Sequence, residues 1–347
     1  MGLPVYRIMI EDRKREWLNK HIWSEQFVEA HILYKEKKFP VRIRYRGGHT
    51  REYPKRSYEI RTASQTYHFN AEYDDPSLIR NALSFELFES LQVPSPKTRH
   101  CLLYINQERA GVYLQIEAVK LPFFRRRSTP VKSIMYAVND HADFSDKRAA
   151  GLSWFAGYRL IHGREDDRAK LVSFIRGLHD RSGDRLRLHL QSSLDVEAYL
   201  RWLCGAVLTG NYDGFKQNYT IFENGGSGLY QMSPWDYEGT WGRNCFGKPV
   251  GADLVRVAGY NKLTDKVLSF RDYRQQYKSM LSRYLETVFT IPKQTGSARR
   301  HFDLIADEVR RGPVYKWTLQ DFQGEMTVIR RYIEDRRNVI ASQLYRL

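Results

Sequence analysis

The 347-residue chain is long enough for about two domains, since one domain typically takes roughly 150 residues. Its 42% hydrophobic content excludes global disorder, and 56 Lys and Arg against 40 Asp and Glu give a formal charge of +16. Three widely spaced cysteines exclude a disulfide scaffold and a cysteine-based zinc site. With no apolar run long enough to span a membrane and no apolar signal region, we expect a basic, soluble, intracellular protein with an anionic partner.

The first third of the chain is predicted to form mostly strands. Residues 41–46 alternate apolar and basic side chains with a period of two, and strands are also predicted at 57–61, 67–70, 100–106 and 111–116. Asp75-Pro76-Ser77 resembles a helix start, and the following leucines at near-helical spacing predict a helix that stops before Val93-Pro94. The composition changes after Val119.

The rest of the chain is predicted to be mainly helical. Apolar stripes at helical spacing predict helices around 171–178, 196–208, 273–288 and 322–344. Residues 219–223 and 229–232 predict a hairpin across a glycine-rich turn. The sequence therefore predicts an α+β protein with a small β-rich lobe, residues 1–119, and a larger helical lobe, residues 120–347, that carries the hairpin.

Three oxygen-bearing side chains flank this hairpin. Asp213 and Asn218 precede its first strand, and Asp236 follows its second strand. A hairpin returns the chain close to its starting point, so Asp236 is expected near Asn218. Carboxylate and amide oxygens suit Mg²⁺ or Mn²⁺. The spacing from Asp213 to Asn218 matches phosphoryl transfer, in which an aspartate accepts the proton of the attacking hydroxyl and an asparagine holds metal.

A purely structural interpretation of these residues remains open. Asp213-Gly214 is an ordinary turn dipeptide, and Trp235 and Trp241 could be core aromatics. No His-Arg precedes Asp213 and no Phe-Gly follows Asp236, which excludes an ordinary protein kinase.

The β-rich lobe offers candidate nucleotide-binding residues. Arg46 and Gly47 lie at a glycine turn between two strands, and Lys55 precedes the second strand. Glu86 on the predicted helix is a candidate partner for Lys55, and residues 117–119, with Glu117 and Val119, stand where a kinase hinge would meet adenine. Each also has a structural interpretation, as a plain turn, a strand-edge charge or a helix surface residue.

The sequence resembles the CotH-type atypical protein kinases, the inner spore coat protein H family, along essentially the whole chain. The matching stretches are Arg46-Gly47-Gly48-His49, Pro54-Lys55-Arg56-Ser57-Tyr58, Asp75-Pro76-Ser77-Leu78-Ile79-Arg80-Asn81 with Leu83-Ser84-Phe85-Glu86, Gly111-Val112-Tyr113-Leu114-Gln115-Ile116-Glu117, Tyr136-Ala137-Val138-Asn139-Asp140-His141-Ala142-Asp143-Phe144-Ser145, Asn211-Tyr212-Asp213-Gly214 with Asn218-Tyr219, and Pro234-Trp235-Asp236-Tyr237 with Thr240-Trp241-Gly242.

The resemblance implies a two-lobed, protein-kinase-like fold that transfers the γ-phosphoryl group of ATP to serines of spore coat proteins during sporulation. It implies Asp213 as catalytic base, Asn218 and Asp236 as ligands of Mg²⁺ or Mn²⁺, Lys55 as the phosphate-binding lysine and Glu86 as its partner. The implied substrates are Ser-rich and basic. The implied locations are the mother-cell cytoplasm and the spore coat.

Two other functions remain as alternatives. A catalytically inactive pseudokinase could act as a scaffold for coat assembly, although a scaffold needs none of the three oxygen-bearing residues. Nucleic-acid binding is suggested by charge alone, and no helix or finger motif supports it. The charge also raises a problem, because basic substrates would be repelled unless the excess lies away from the acceptor groove or binds phosphorylated coat layers. The sequence does not predict an oligomeric state.

Overall fold

A computed structural model describes residues 2–313 and 315–347. The chain divides into two compact units. The barrel unit comprises Met1–Leu83, Pro96–Ala118 and Gly296–Thr327, and the helical unit comprises Ser84–Ser95, Val119–Thr295 and Val328–Leu347. The expected α+β class is confirmed, because both units contain strands and helices. The division into lobes at residues 119 and 120 stays a prediction.

Seven strands of the barrel unit form a closed barrel in the order β1-β2-β3-β4-β5-β7-β6. The first and last strands in this order, β1 and β6, pair in parallel, and all other neighbours are antiparallel. The core residues Ile8, Ile43, Phe69 and Leu103 are buried. Closure pairs each of these seven strands with a neighbour on both sides. The elements are β1 (Val5–Met9), α1 (Asp12–Lys20), β2 (Val28–Tyr34), β3 (Lys37–Arg46), β4 (Ser57–Arg61), β5 (Thr66–Asn70), β6 (Thr98–Ile105) and β7 (Glu108–Glu117).

The strands predicted in this region are confirmed as parts of β3 to β7, but the predicted helix start is wrong. Helix α2 spans Arg80–Ser90, because Leu78 has the left-handed φ of 59° and interrupts the helix. The Asp75 carboxylate accepts hydrogen bonds from the backbone N–H groups of Ser77 and Arg80, both at 2.8 Å. The Asp-Pro-Ser segment is therefore a turn that leads into the helix.

The helical unit contains a four-stranded antiparallel sheet in the order β11-β10-β8-β9. The predicted hairpin is confirmed as β10 and β11, and the two strands beside it were not predicted. The predicted helices are confirmed within α4, α6, α8 and α10. The elements are α3 (Leu121–Arg125), β8 (Val131–Ala137), β9 (Tyr158–His162), α4 (Glu165–Asp180), α5 (Gly183–Ser193), α6 (Val196–Thr209), β10 (Tyr219–Asn224), β11 (Tyr230–Pro234), α7 (Lys262–Leu268), α8 (Arg271–Thr287), α9 (Ile291–Arg310) and α10 (Leu319–Gln343).

Helix α6 leads the chain to the loop that carries Asp213. It begins at an N-cap, where the Asp195 side chain accepts a hydrogen bond from the N–H of Ala198 at 3.0 Å. It ends at Gly210, whose φ of 72° is left-handed and whose Cβ, if present, would lie 2.3 Å from the Tyr332 hydroxyl. Only glycine satisfies both constraints, so the exit from α6 into the Asp213 loop is fixed.

The positive charge is shared by both units. The barrel unit has 24 Lys and Arg against 18 Asp and Glu, and the helical unit has 32 against 22. Neither unit alone explains the excess. In the described part of the chain, no helix is both long and apolar enough to span a bilayer.

Candidate active site

The ends of three strands of the helical unit's sheet meet at the residues predicted to be catalytic. The backbone N–H of Asn218 donates to the carbonyl oxygen of Ala137, at the end of β8, at 3.1 Å. The N–H of Trp235, just after β11, donates to the carbonyl oxygen of Asn218, also at 3.1 Å. The ladder between β10 and β11 therefore places Asp236 one residue beyond a direct contact with Asn218, as the hairpin argument predicts.

The carboxylate of Asp213 is held by two amide side chains. Gln217 donates from Nε2 to Oδ1 of Asp213 at 2.8 Å, and Asn218 donates from Nδ2 to Oδ2 at 3.0 Å. The side-chain oxygen of Asn211 accepts the N–H of Gly214 at 2.9 Å, which stabilises the short 3₁₀ helix that begins at Asp213. The structure thus brings Asp213 and Asn218 into contact and adds Gln217, which the sequence analysis did not identify.

Two residues of this site have left-handed backbones. Asn218 has a φ of 59° and Asp236 a φ of 57°. Asn and Asp are among the few non-glycine residues that tolerate this region, and such conformations concentrate where the surrounding structure holds a functional geometry. Tyr219 and Pro234 form the first residue pair of the hairpin. Asn218 directly precedes Tyr219, and Asp236 follows Pro234 by two residues.

Cys245 lies close to both carboxylates. Burial raises the pKa of its thiol, and the negative charges of Asp213 and Asp236 raise it further. The sulfur is 3.0 Å from the hydroxyl of Tyr212. At Gly239 a Cβ would lie 2.6 Å from the backbone nitrogen of Cys245, so only glycine allows the loop after Asp236 to return this closely. Sequence spacing gave no signal for this residue.

The side-chain chemistry here fits a hard divalent cation. Asp213, Asn218 and Asp236 offer carboxylate and amide oxygens, the ligands that Mg²⁺ and Mn²⁺ prefer alongside phosphate oxygens. Because Asn218 donates through Nδ2, its Oδ1 is directed away from the Asp213 contact. Throughout residues 2–313 and 315–347, no three His, Cys, Asp or Glu side chains form a group that could hold a metal. Substrate phosphates would have to complete any coordination shell at Asp213, Asn218 and Asp236.

An aromatic pair adjoins the carboxylates. The rings of Tyr136 and Trp235 are nearly parallel, with an interplanar angle of 12° and centroids 6.3 Å apart. The Tyr136 hydroxyl donates to the carbonyl oxygen of Val119 at 2.8 Å. One of the predicted hinge residues, Val119, is therefore linked through Tyr136 to the strand end that precedes Asp236. From the sequence, Trp235 was expected only as a possible core aromatic.

In the barrel unit, Lys55 is occupied by the barrel itself. Its ammonium donates to the carbonyl oxygens of Ala71 and Val112, both at 2.6 Å, and only 6% of the residue is exposed. Burial lowers the pKa of Lys55 to about 7, against the opposing effect of the Glu72 carboxylate. A role in binding phosphate stays a prediction.

The other predicted nucleotide-binding residues also have local structural contacts. Arg46 bonds to the side chain of Asn70, and Gly47 adopts a φ of 111° in a turn where a Cβ would meet the Thr50 hydroxyl. Glu117 is buried and accepts the backbone N–H of Lys97 at 3.1 Å. Glu86 is half-buried on α2, in the helical unit, whereas Lys55 belongs to the barrel unit. Their nucleotide roles, and the pairing of Lys55 with Glu86, stay predictions.

Comparisons with known proteins agree with the sequence resemblance. The chain is 34% identical to the inner spore coat protein H of Bacillus subtilis (strain 168), over 99% of this chain and 98% of that protein. It is 27% identical to an inner spore coat protein H-like protein of the same strain, over 84% and 87% of the two chains.

Among solved structures, a proinflammatory kinase of Helicobacter pylori, CtkA, matches 84% of this chain and 94% of its own. The sequence identity is 12% and the TM-score 0.33, which is too low to support an inference. The model of the family described as CotH kinase protein matches residues 43–340. That span contains every residue of the candidate site, and the chain belongs to the CotH kinase protein family.

Proposed function

We propose that the protein is an atypical serine/threonine kinase with two lobes, which transfers the γ-phosphoryl group of ATP to serine hydroxyls. The observation that carries the proposal is the direct contact between Asp213 and Asn218, with Asp236 following the strand paired to that same Asn218. Family membership supports a kinase-like activity. We assign Asp213 as the base and Asn218 and Asp236 as the metal-holding residues.

In this proposal Asp213 aligns the acceptor serine and takes its proton. The serine Oγ forms a bond to the γ-phosphorus as the bond from that phosphorus to the bridging oxygen of ADP breaks, and the released proton passes to Oδ1 or Oδ2 of Asp213. Gln217 and Asn218 hold both carboxylate oxygens by hydrogen bonds, so the base is fixed before substrate arrives. A divalent cation bound by Asn218 and Asp236 would neutralise charge on the phosphates.

We propose that the adenine ring of ATP stacks on the ring of Trp235, alongside Tyr136. Trp235 directly precedes the proposed metal ligand Asp236, so a nucleotide stacked there would extend its phosphates toward the carboxylates. Stacking of a base on an aromatic side chain is worth roughly 1–3 kcal/mol. Lys55, Arg46, Gly47, Glu86, Glu117 and Val119 remain further candidates for nucleotide binding.

We propose that the substrates are Ser-rich, basic spore coat proteins, and that the protein acts in the mother-cell cytoplasm and the spore coat. The name of the relative that is 34% identical, inner spore coat protein H, supports this setting. Both units carry excess positive charge, so they should repel a basic substrate. This repulsion should weaken as the salt concentration rises, because salt screens the charges. Phosphorylated coat protein, now acidic, is a natural ligand for the same excess charge.

The experiment that tests this function is transfer from γ-labelled ATP to a Ser-rich basic peptide, with Mg²⁺ or Mn²⁺. We expect label on peptide serine with the wild-type protein and none with Asp213→Asn, which has the same shape but cannot accept the proton. Asp166→Asn, at an exposed aspartate of α4 in the same unit, is a matched control for the exchange of a carboxylate for an amide. No label with any coat-derived peptide or on the protein itself would overturn the proposal and favour a scaffold.

A further inference from the structure

A cavity of about 280 Å³ opens at one end of the barrel, beneath α1. Ile8, Ile43 and Ile105 form its apolar floor, and Leu18 and Asn19 of α1 cover it. A barrel of about eight strands is just wide enough either to be filled by side chains or to hold one small ligand. Its mouth is therefore a place where a ligand site is physically reasonable.

Four basic side chains line this cavity. Arg15, Lys55, Arg56 and Arg109 contribute to its wall, against the single carboxylate of Glu108 among the described residues. Arg15 pairs with Glu108 at 2.5 Å and Arg109 pairs with Glu308 at 2.6 Å, and the Lys55 ammonium is held by two backbone carbonyl oxygens. Among the described residues, this leaves Arg56 as the basic side chain of the wall that pairs with no carboxylate. A guanidinium in a partly enclosed space is stabilised when a ligand supplies the counter-charge.

Flat aromatic surfaces line the same space. The rings of Tyr45 and Tyr58 have centroids 5.3 Å apart, and Tyr58 and Tyr113 lie 6.2 Å apart. The guanidinium of Arg56 stands 4.8 Å above the ring of Tyr45, while its Nη1 donates to Asn19 at 2.7 Å. Burial raises the pKa of Tyr58, so its hydroxyl stays protonated at neutral pH and can donate. The wall thus combines planar rings with hydrogen-bond donors.

We propose that this cavity binds a small organic anion, a carboxylate or phosphate carried on a flat ring, with Arg56 meeting the anionic group and Tyr45 and Tyr58 packing on the ring. A guanidinium group provides the donors that suit carboxylate and phosphate oxygens. The site lies wholly within the barrel unit, and it does not depend on the proposed phosphoryl transfer. It is a second ligand site, separate from the carboxylates of the helical unit.

The test is isothermal titration of the full chain with four probes. Benzoate and phenyl phosphate carry an anion on a flat ring, cyclohexanecarboxylate carries it on a puckered ring, and inorganic phosphate has no ring. We expect benzoate and phenyl phosphate to bind at least tenfold more tightly than their matched probes. Equal affinity within each matched pair, or no binding by either ring probe, would overturn the proposal.

Two cavity variants and one matched control locate the site. Arg56→Gln and Tyr58→Phe should each weaken phenyl phosphate binding, by about tenfold and about threefold, since a charged contact exceeds a neutral hydroxyl contact. Arg7→Gln removes an arginine that also stacks on a tyrosine, Tyr104 at 4.0 Å, but lies outside the cavity wall. Its affinity should match wild type. Tyr58→Phe keeps the aromatic ring and should fold normally. If both Tyr58→Phe and Arg56→Gln bind phenyl phosphate as tightly as wild type, the assignment of this cavity is overturned.

Discussion

The candidate functional residues of the two units make different kinds of contact. In the helical unit, Asp213 and Asn218 contact each other through side chains at a strand end, where oxygen atoms can face a ligand. In the barrel unit, Lys55 and Glu117 are directed to backbone groups of the barrel itself. We therefore expect the chemistry in the helical unit, while Lys55 and Glu117 of the barrel unit serve its architecture.

The difference follows from backbone geometry. The N–H and carbonyl groups at the ends of β8, β10 and β11 already pair with each other, so the Asp213 and Asp236 side chains are not needed to satisfy them. At Lys55, the carbonyl oxygens of Ala71 and Val112 accept the buried ammonium instead of another backbone group. A side chain that completes backbone hydrogen bonding is costly to redirect toward a ligand.

Asp236→Ala should have the largest effect on phosphate transfer, and it tests the functional distinction between the two units. Removal of a proposed metal ligand should lower phosphate transfer on the order of a thousand-fold, about 4 kcal/mol in the barrier, while the fold is retained. The measurement is label transfer from ATP with circular dichroism as the check on folding. Normal incorporation by the folded variant would remove the functional distinction between the two units.

Lys55→Met tests whether the barrel unit holds the Lys55 side chain in a buried, structural position. Folding lowers the pKa of Lys55 from 10.5 to about 7, so between these values the unfolded chain holds a proton that the folded chain releases. Wild-type stability should therefore rise with pH relative to the variant, by up to about 1.4 kcal/mol per pH unit between roughly pH 7 and 9. Denaturant unfolding at several pH values measures the difference.

Lys37→Met is the matched control, since Lys37 is an exposed lysine of β3. Its stability difference from wild type should stay flat over the same range. A flat difference for Lys55→Met as well would show that the barrel does not hold its ammonium in a buried site, and the contrast between the units would fail at its clearest residue.

Trp235→Ala should raise the KM for ATP by about tenfold, because the variant removes a stacking surface worth roughly 1–3 kcal/mol. Trp235→Phe keeps an aromatic face and should recover most of the affinity. Trp23→Ala in the barrel unit, where 54% of Trp23 is exposed, should leave the KM unchanged. An equal change for both tryptophans would argue against a base-binding role specific to the helical unit.

The sequence predicted the parts of the molecule that depend on local pattern. Alternation identified β3, apolar runs identified β6 and β7, and the hairpin argument correctly placed Asp236 beside the Asn218 strand. The sequence could not predict that Leu78 adopts a left-handed backbone conformation, because the same proline signal is found in turns as well as at helix starts. Gln217 and Cys245 were missed because their proximity to Asp213 depends on the 3₁₀ turn and on the loop after Asp236.

Gln217→Ala should have the smallest effect and gives the finest test of the helical unit. Loss of the 2.8 Å bond to Asp213 leaves the carboxylate held by Asn218 alone, so kcat should fall severalfold, up to about tenfold, with little change in the KM for ATP. Gln217→Glu places a second negative charge beside the base and should move the acidic limb of the kcat profile to higher pH. A purely structural glutamine would change stability in both variants and leave that limb in place. Gln217 is thus a positioning residue only if the Glu variant shifts the profile while the Ala variant lowers its height.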